Sequence, residues 1–300
     1  MKVLNFGSLN IDYVYDVAHI VVEGETIPAV NRKIFCGGKG LNQSIALSKA
    51  GVPTYHAGRI CNTDQFLVEM LQTAHVDISN VILDDSTPTG HAIIQKTPDG
   101  TNCIIVYGGA NRAITKAQIE TTIAQFDVGD YLVLQNETND IGYMIECANK
   151  RGMVIVLNPS PMEHNILDLP LTFVDWFMLN EIEAAALICQ NTLAGISPES
   201  LLHAVTQRFP NANVVITLGA KGAICKYQEQ IIYRPAKSVV PVDTTAAGDT
   251  FTGFFLAGIM KQKSIEDCLN LATTASAIAV TRMGAAPSIP SLCEVLNSIH

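Results

Sequence analysis

YLVLQNETNDIGYMIECANKRGMVIVL, residues 131–157, carries the fold in one stretch. Its two ends, 131–135 and 153–157, are short runs rich in Val, Ile and Leu, bounded by polar or turn residues, and read as buried strands. Residues 141–151 between them read as a helix that stops at Gly152, the residue type that most readily closes a helix C-terminus. Strand, helix and strand in that order predict a right-handed crossover in a parallel sheet.

The same strand signal recurs at Val3 to Phe6 and at 53–58, 78–83, 175–179 and 213–218. Helical segments alternate with these strands. Thr115 with Gln118 reads as a capping box ahead of Ile119, Ile123 and Phe126. Ser197 followed by Pro198 opens another helix. Ser264 with Asp267 caps a long one that carries Ile265, Leu269, Ala272 and Ile278 and is expected to end near Gly284. The alternation predicts an α/β fold: a three-layer, Rossmann-like, mostly parallel sheet flanked by helices, in a single domain over residues 1–300.

Two regions break the pattern. Residues 12–35 read as extended chain, and residues 90–107 as a hairpin around a TPDG turn. Strands without crossover helices are expected to form a small second β-sheet, a lid on the main domain; the alternative is a β extension of the main sheet. An exposed apolar part of such a lid points to a homodimer joined lid to lid.

Composition narrows the partners. Of 300 residues, 48% are hydrophobic and 16% charged, with a net charge of −9. That balance argues against nucleic acid or an anionic membrane, which call for basic patches. Phosphate ligands remain open, because backbone amides and a metal ion hold them without many lysines. Eight scattered cysteines with no C-x-x-C pair argue against a zinc or redox motif. No signal peptide precedes Val3, and no apolar run approaches the roughly 20 residues of a membrane span. A reduced, cytoplasmic protein is the expectation.

Ligands of an open parallel sheet bind beyond the C-terminal strand ends, so the polar loops there matter most. GSLNID (7–12) lacks the glycine spacing of a dinucleotide site. Asn10 and Asp12, two apart in extended chain, face one way and suit neighbouring hydroxyls of a sugar; a turn-forming Asn beside a solvated Asp is the other reading. CGGKGLNQS (36–44) is not a Walker A loop, since Gly40 follows Lys39. Its glycines allow a ligand close to the backbone, with Lys39 and Asn42 facing a polar pocket; a flexible glycine loop reads equally well.

DTTAAGDTFTGFF (243–255) is more specific. A helix beginning near Ala246 leaves the amides of Ala246, Ala247 and Gly248 open to an anion, with Asp249 in the first turn. An acid that only stabilises its helix accounts for Asp249 but not for the small residues before it. An anion hole beside a carboxylate accounts for both, and suits phosphoryl transfer to a hydroxyl. In LNEIEAA (179–185), Asn180 and Glu183 share a helix face and suit Mg²⁺ held through water, or are simply a surface pair. ITLGAKG (216–222) offers Thr217 and two glycines as a seat for nucleotide phosphates.

GGKGLNQSIALSKAG and DTTAAGDTFTGFF resemble the two signature segments of the ribokinase-type (PfkB) carbohydrate kinases. GSLNID, QNE (135–137), NP (158–159), LNEIE, ITLGAKG and RMGAAPS (282–288) keep that family's order over essentially the whole chain. The resemblance implies an ATP-dependent kinase acting on the 5-hydroxyl of D-ribose, or on deoxyribose, fructose or another ketose. A sugar-binding protein without turnover is the reading from another class. The resemblance makes Asp249 the catalytic base and Ala246, Ala247 and Gly248 the anion hole. It puts Asn10, Asp12, Gly38, Lys39, Asn42 and Glu137 on the sugar, Asn180 and Glu183 on Mg²⁺ and phosphate, and Thr217, Gly219 and Gly222 on the nucleotide. It implies K⁺ held by Asp243 and Thr245, with backbone oxygens near Val280, Met283, Ala285 and Ser288. Thr273 falls where the family can carry a histidine beside adenine.

Overall fold

The first strand, β1 (Val3–Phe6), is buried along its whole length. After it come β2 (Asn10–Asp16), β3 (Asn31–Gly37), α1 (Lys39–Lys49), β4 (Thr54–Cys61), α2 (Phe66–Thr73) and β5 (Asp77–Asp84). The middle of the chain holds β6 (Gly90–Lys96), β7 (Asn102–Tyr107), α3 (Lys116–Ile123), β8 (Tyr131–Gln135), α4 (Ile141–Arg151), β9 (Val154–Asn158) and β10 (Trp176–Asn180). The last part holds α5 (Glu181–Leu187), α6 (Pro198–Arg208), β11 (Asn213–Thr217), β12 (Ala223–Tyr227), β13 (Gln230–Arg234), α7 (Ala247–Met260), α8 (Ile265–Val280) and α9 (Leu292–Ser298). The computed structural model describes residues 1–190 and 192–299.

Among the described residues the main sheet has nine strands, ordered β13-β12-β11-β10-β9-β8-β1-β4-β5. From β11 to β5 every pairing is parallel, as the 131–157 unit implies. Both faces are covered, so neighbouring residues of one strand feed different cores. Trp176 and Met178 of β10 pack with α1, α7 and α8, whereas Phe177 and Leu179 pack with α4, α5 and α6. Burying a Leu or Phe side chain fully is worth about 1.5–3 kcal/mol, and this double burial is why the strands are apolar throughout rather than alternating.

The four remaining strands form their own sheet, ordered β3-β2-β6-β7, rather than extending the main one. β2 pairs antiparallel with β3 and parallel with β6, and β6 pairs antiparallel with β7.

Three details depart from the sequence reading. β12 and β13, an antiparallel pair at the sheet edge, carry no turn signal: their reversal uses Gln228 at φ 51° instead of Gly or Asn. α8 ends at Val280, short of Gly284. The capping box at Thr115 is one-sided: Thr115 accepts from the Gln118 amide, but the Gln118 side chain donates to the Gly58 carbonyl.

Candidate active site

The mouth of α7 is built by a left-handed residue. Ala246 adopts φ 59°, and the helix starts at Ala247, one position later than the sequence suggests. This changes which amides are open. Ala247 N–H makes a long bond to the Thr244 carbonyl (3.3 Å), whereas the amides of Ala246, Gly248 and Asp249 have no partner among the described residues. A β-carbon on Gly248 would meet nothing within 4 Å, so the helix end faces open space.

Asp249 is buried, and α1 holds both its oxygens. Asn42 Nδ2 donates to Oδ2 (3.0 Å) and Gln43 Nε2 donates to Oδ1 (2.9 Å). Phe251, Phe254 and Phe255 seat α7 in the core beneath, with Phe255 edge-on to Trp176. Asn42 Oδ1 is buried and has no hydrogen-bond partner among the described residues.

The glycines around the start of α1 make room for the protein's own chain. A β-carbon on Gly40 would come within 2.3 Å of Ser8 N, and one on Gly37 would lie 2.1 Å from the Asp12 carboxylate. Gly38, at φ 97°, turns the chain into the helix. The Ser8 carbonyl then accepts from the Leu41 amide (3.0 Å), pinning the helix start to the end of β1.

Lys39 stands among acids. Burial opposes its charge, but Asp249, Glu137 and Glu183 together outweigh burial and lift its pKa above the ordinary value. Glu137 accepts from Lys39 N–H (2.9 Å) and from the Ser8 hydroxyl. On β2, burial, with the nearby charge of Glu137, pushes the Asp12 carboxyl up to about 7. Asn10 Oδ1 accepts from Asn111 (2.7 Å), which also grips the backbone of Leu9.

Two adjoining cavities share Thr217, Thr244, Ala247 and Gly248 as walls. The first, about 250 Å³, is also lined by Lys39, Asn158, Ser160, Asn180, Glu183 and Asp249. Glu183 is only 6% exposed, whereas Asn180 beside it is exposed. Asn180 and Glu183 form a reciprocal capping box on α5, and burial raises the Glu183 pKa. The second cavity, about 470 Å³, is lined by Gly219, Gly222, Val239, Phe251 and Thr273. The Thr273 hydroxyl bonds back to the Leu269 carbonyl (2.8 Å), and a β-carbon on Gly222 would strike the Arg234 carbonyl, so Gly222 lets the end of β13 pass close by.

Asp243 ties the loops behind the helix mouth together. Its Oδ1 accepts from the Thr245 amide (3.0 Å) and hydroxyl (2.6 Å), and its Oδ2 from Gly284 N–H (3.0 Å). Burial works against its charge, but these bonds outweigh it and hold its pKa below the ordinary value. The Val280 carbonyl accepts from both Val242 and Asp243, and the Ala285 carbonyl from Ser288. Met283 is exposed on the same turn.

Asn10 and Asp12 lie on β2 of the small sheet, Gly38 and Glu137 adjoin Lys39, and Asn42 bonds Asp249. Asn180, Glu183 and Thr217 line the first cavity, and Gly219, Gly222 and Thr273 the second. Sequence reasoning missed Ser8, Gln43, Asn111, Gln135, Asn158 and Ser160. Gln43 had a signal: four residues after Lys39, it shares that residue's helix face. The whole arrangement sets a carboxylate, a lysine and open amides around one point, which suits moving an anionic group onto a hydroxyl.

The model of the pfkB family carbohydrate kinases matches residues 1–292. A ribokinase of Staphylococcus aureus is 34% identical, covering 98% of this chain and 98% of the relative. One of Haemophilus influenzae is 32% identical, covering 98% and 97%. The structure of an Arabidopsis thaliana ribokinase complexed with ribose and ATP superposes with a TM-score of 0.86 at 30% identity, covering 99% of this chain and 98% of that one.

Proposed function

We propose, on the premise that this chain belongs to the pfkB family of carbohydrate kinases, that it transfers the γ-phosphoryl group of ATP to the 5-hydroxyl of D-ribose, yielding D-ribose 5-phosphate and ADP. The observation that carries this reading is the Asp249 carboxylate, gripped by Asn42 and Gln43 beside the open amides of Gly248 and Asp249. Asp249 takes the proton of the acceptor hydroxyl. The amides at the α7 mouth, with Ala246 and Ala247 shaping the turn, and the Lys39 ammonium hold the moving charge.

Ribose sits between the lid and Asp249, against Asn10, Asp12, Gly38, Lys39, Asn42 and Glu137. The unpartnered Asn42 Oδ1 supports this, because a buried acceptor without a donor is costly until a hydroxyl supplies one. The nucleotide occupies the two cavities, its phosphates near Thr217 and Gly219 and its base near Thr273, with no donor left on that hydroxyl to read it.

Two cations fit residues present here. Mg²⁺ neutralises charge on the nucleotide phosphates when bound. Glu183 is committed to its capping box, and the described residues contain no cluster of three metal-ligating acids, histidines or cysteines, so Glu183 and Asn180 reach that ion through water. K⁺ suits the all-oxygen set around Asp243, Thr245 and the turn from Val280 through Met283 and Ala285 to Ser288, and there it reinforces the loop that shapes the anion hole. We assign the enzyme to the cytoplasm, where its eight free cysteines stay reduced. We also assign it a homodimer closed lid to lid.

The test is ATP consumption with Mg²⁺ over a panel of ribose, deoxyribose, fructose and other ketoses, with K⁺ or a large organic cation. Turnover greatest on ribose and higher with K⁺ is expected. Preference for another sugar would move the assignment within the family. Tight ribose binding with no turnover on any sugar would overturn the kinase reading.

A further inference from the structure

We propose that Gln43 is a positioning residue for the base, setting the direction in which Asp249 presents its carboxylate and joining it to the wall of the first cavity. The proposal rests on the reading of Asp249 as the base.

Gln43 is fully buried on α1. Its Nε2 donates to Asp249 Oδ1 (2.9 Å) and to Asn158 Oδ1 (3.3 Å), and its Oε1 accepts from Gln135 Nε2 (2.7 Å). An amide side chain can be turned end for end, which would face its oxygen to the carboxylate and repel it. Here the polarity is dictated from two directions, each starting at a backbone carbonyl that can only accept.

On one side, Asn5 Nδ2 donates to the Gly40 carbonyl (2.8 Å), so Asn5 Oδ1 faces Gln135. Gln135 must then present its nitrogen, and its second proton goes to Gln43 Oε1. On the other side, Asn158 Nδ2 donates to the Met178 carbonyl (2.8 Å), which turns Asn158 Oδ1 toward Gln43. Both routes require the Gln43 nitrogen to face Asp249. Asn5 and Gln135 are fully buried, so water does not compete for these bonds.

Asn42 grips the other Asp249 oxygen, so the pair fixes the carboxylate plane. Asn158 Nδ2 also lies 3.5 Å from Glu183 Oε2. Gln43 thus bridges the base to the residue beside the acid of the phosphate side, which keeps acceptor and donor halves of the site in one register.

The experiment compares Gln43→Met, similar in size but with no amide, and Gln135→Met with the parent. It measures kcat, sugar KM, the pH profile of kcat/KM and thermal stability, with Asp249→Asn in parallel. Gln43→Met is expected to lower kcat roughly 10- to 100-fold, the worth of one hydrogen bond to a charged group, with sugar KM little changed. Its acid limb moves to higher pH, because the ionised carboxylate has lost a donor. Gln135→Met, which frees the polarity of Gln43, moves the same limb less. If either variant fails to fold, the other decides by the same limb. A parental pH profile and kcat, with only thermal stability lost, would overturn the proposal while an inactive Asp249→Asn left the base reading standing. An Asp249→Asn enzyme at the parental rate would overturn both.

Discussion

A β-carbon placed on Gly253 would lie 2.4 Å from the β-carbon of Ala46 and 2.8 Å from its carbonyl carbon. α7 and α1 therefore touch backbone to backbone, one helical turn below the contact of Asp249 with Asn42. The polar grip on Asp249 depends on this close approach, since Asn42 and Gln43 reach it from α1 and lose contact once the axes separate.

Gly253→Ala is accordingly expected to destabilise the protein by about 1–3 kcal/mol, the usual cost of overpacking a close contact. Its kcat should fall as well, because the added methyl pushes α7 away from Asn42 and Gln43. Thermal unfolding and steady-state kinetics on the same preparation check this; an unchanged unfolding midpoint would show that the helices have room to yield.

Asp249→Asn should lower kcat about 10²- to 10⁴-fold, the range for a positioned acid–base group. Ribose should still bind, because Asn10, Asp12 and Glu137 are untouched. Calorimetric titration with ribose beside the rate measurement separates loss of the proton acceptor from loss of the pocket.

Asp12 makes stability depend on pH. Burial, then the charge of Glu137, raises its carboxyl to about 7 in the folded chain from the ordinary 3.8. The folded state thus holds this proton more tightly than the unfolded one. Its contribution is full below about pH 4 and is lost as pH rises through about 7. Asp12→Asn should reduce the fall in unfolding midpoint between pH 5 and 8 relative to the parent; parallel profiles would place the dependence elsewhere.

The proposed homodimer is expected to form through the small sheet. Tyr13 pairs with Ile34 and Ile93, and Ile93 with Ile105, so these side chains line up across one face. Ile34, Ile93 and Ile105 are 47%, 39% and 61% exposed. Ile105→Asp is expected to shift the protein toward monomer in sedimentation velocity, with the main domain's unfolding unchanged. A parental sedimentation profile would exclude this face.

Much of the fold was legible from residue pattern. Apolar runs such as 131–135 and 153–157 around a helix ending at Gly152 can be buried on both faces only in a parallel sheet with crossovers. The strands near 12–35 and 90–107 stand apart because no helix separates β2 from β3 or β6 from β7. β12 and β13 escaped notice because Gln228 takes a left-handed conformation that its residue type does not announce.

The site divides in the same way. Local sequence determined that Asp249 opens a helix after small residues and that Lys39 and Asn42 share one helix face, since both follow from spacing along a single segment. Only the tertiary structure decided that Ala247 turns its amide back to Thr244, that the glycines near Gly40 make room for Ser8 and Asp12, and that Gln43 meets Asp249. The physical reason is range. A helix mouth is made by neighbours in the chain, whereas Gln43 and Asp249 lie 206 residues apart and meet only because Ala46 and Gly253 let two helices touch.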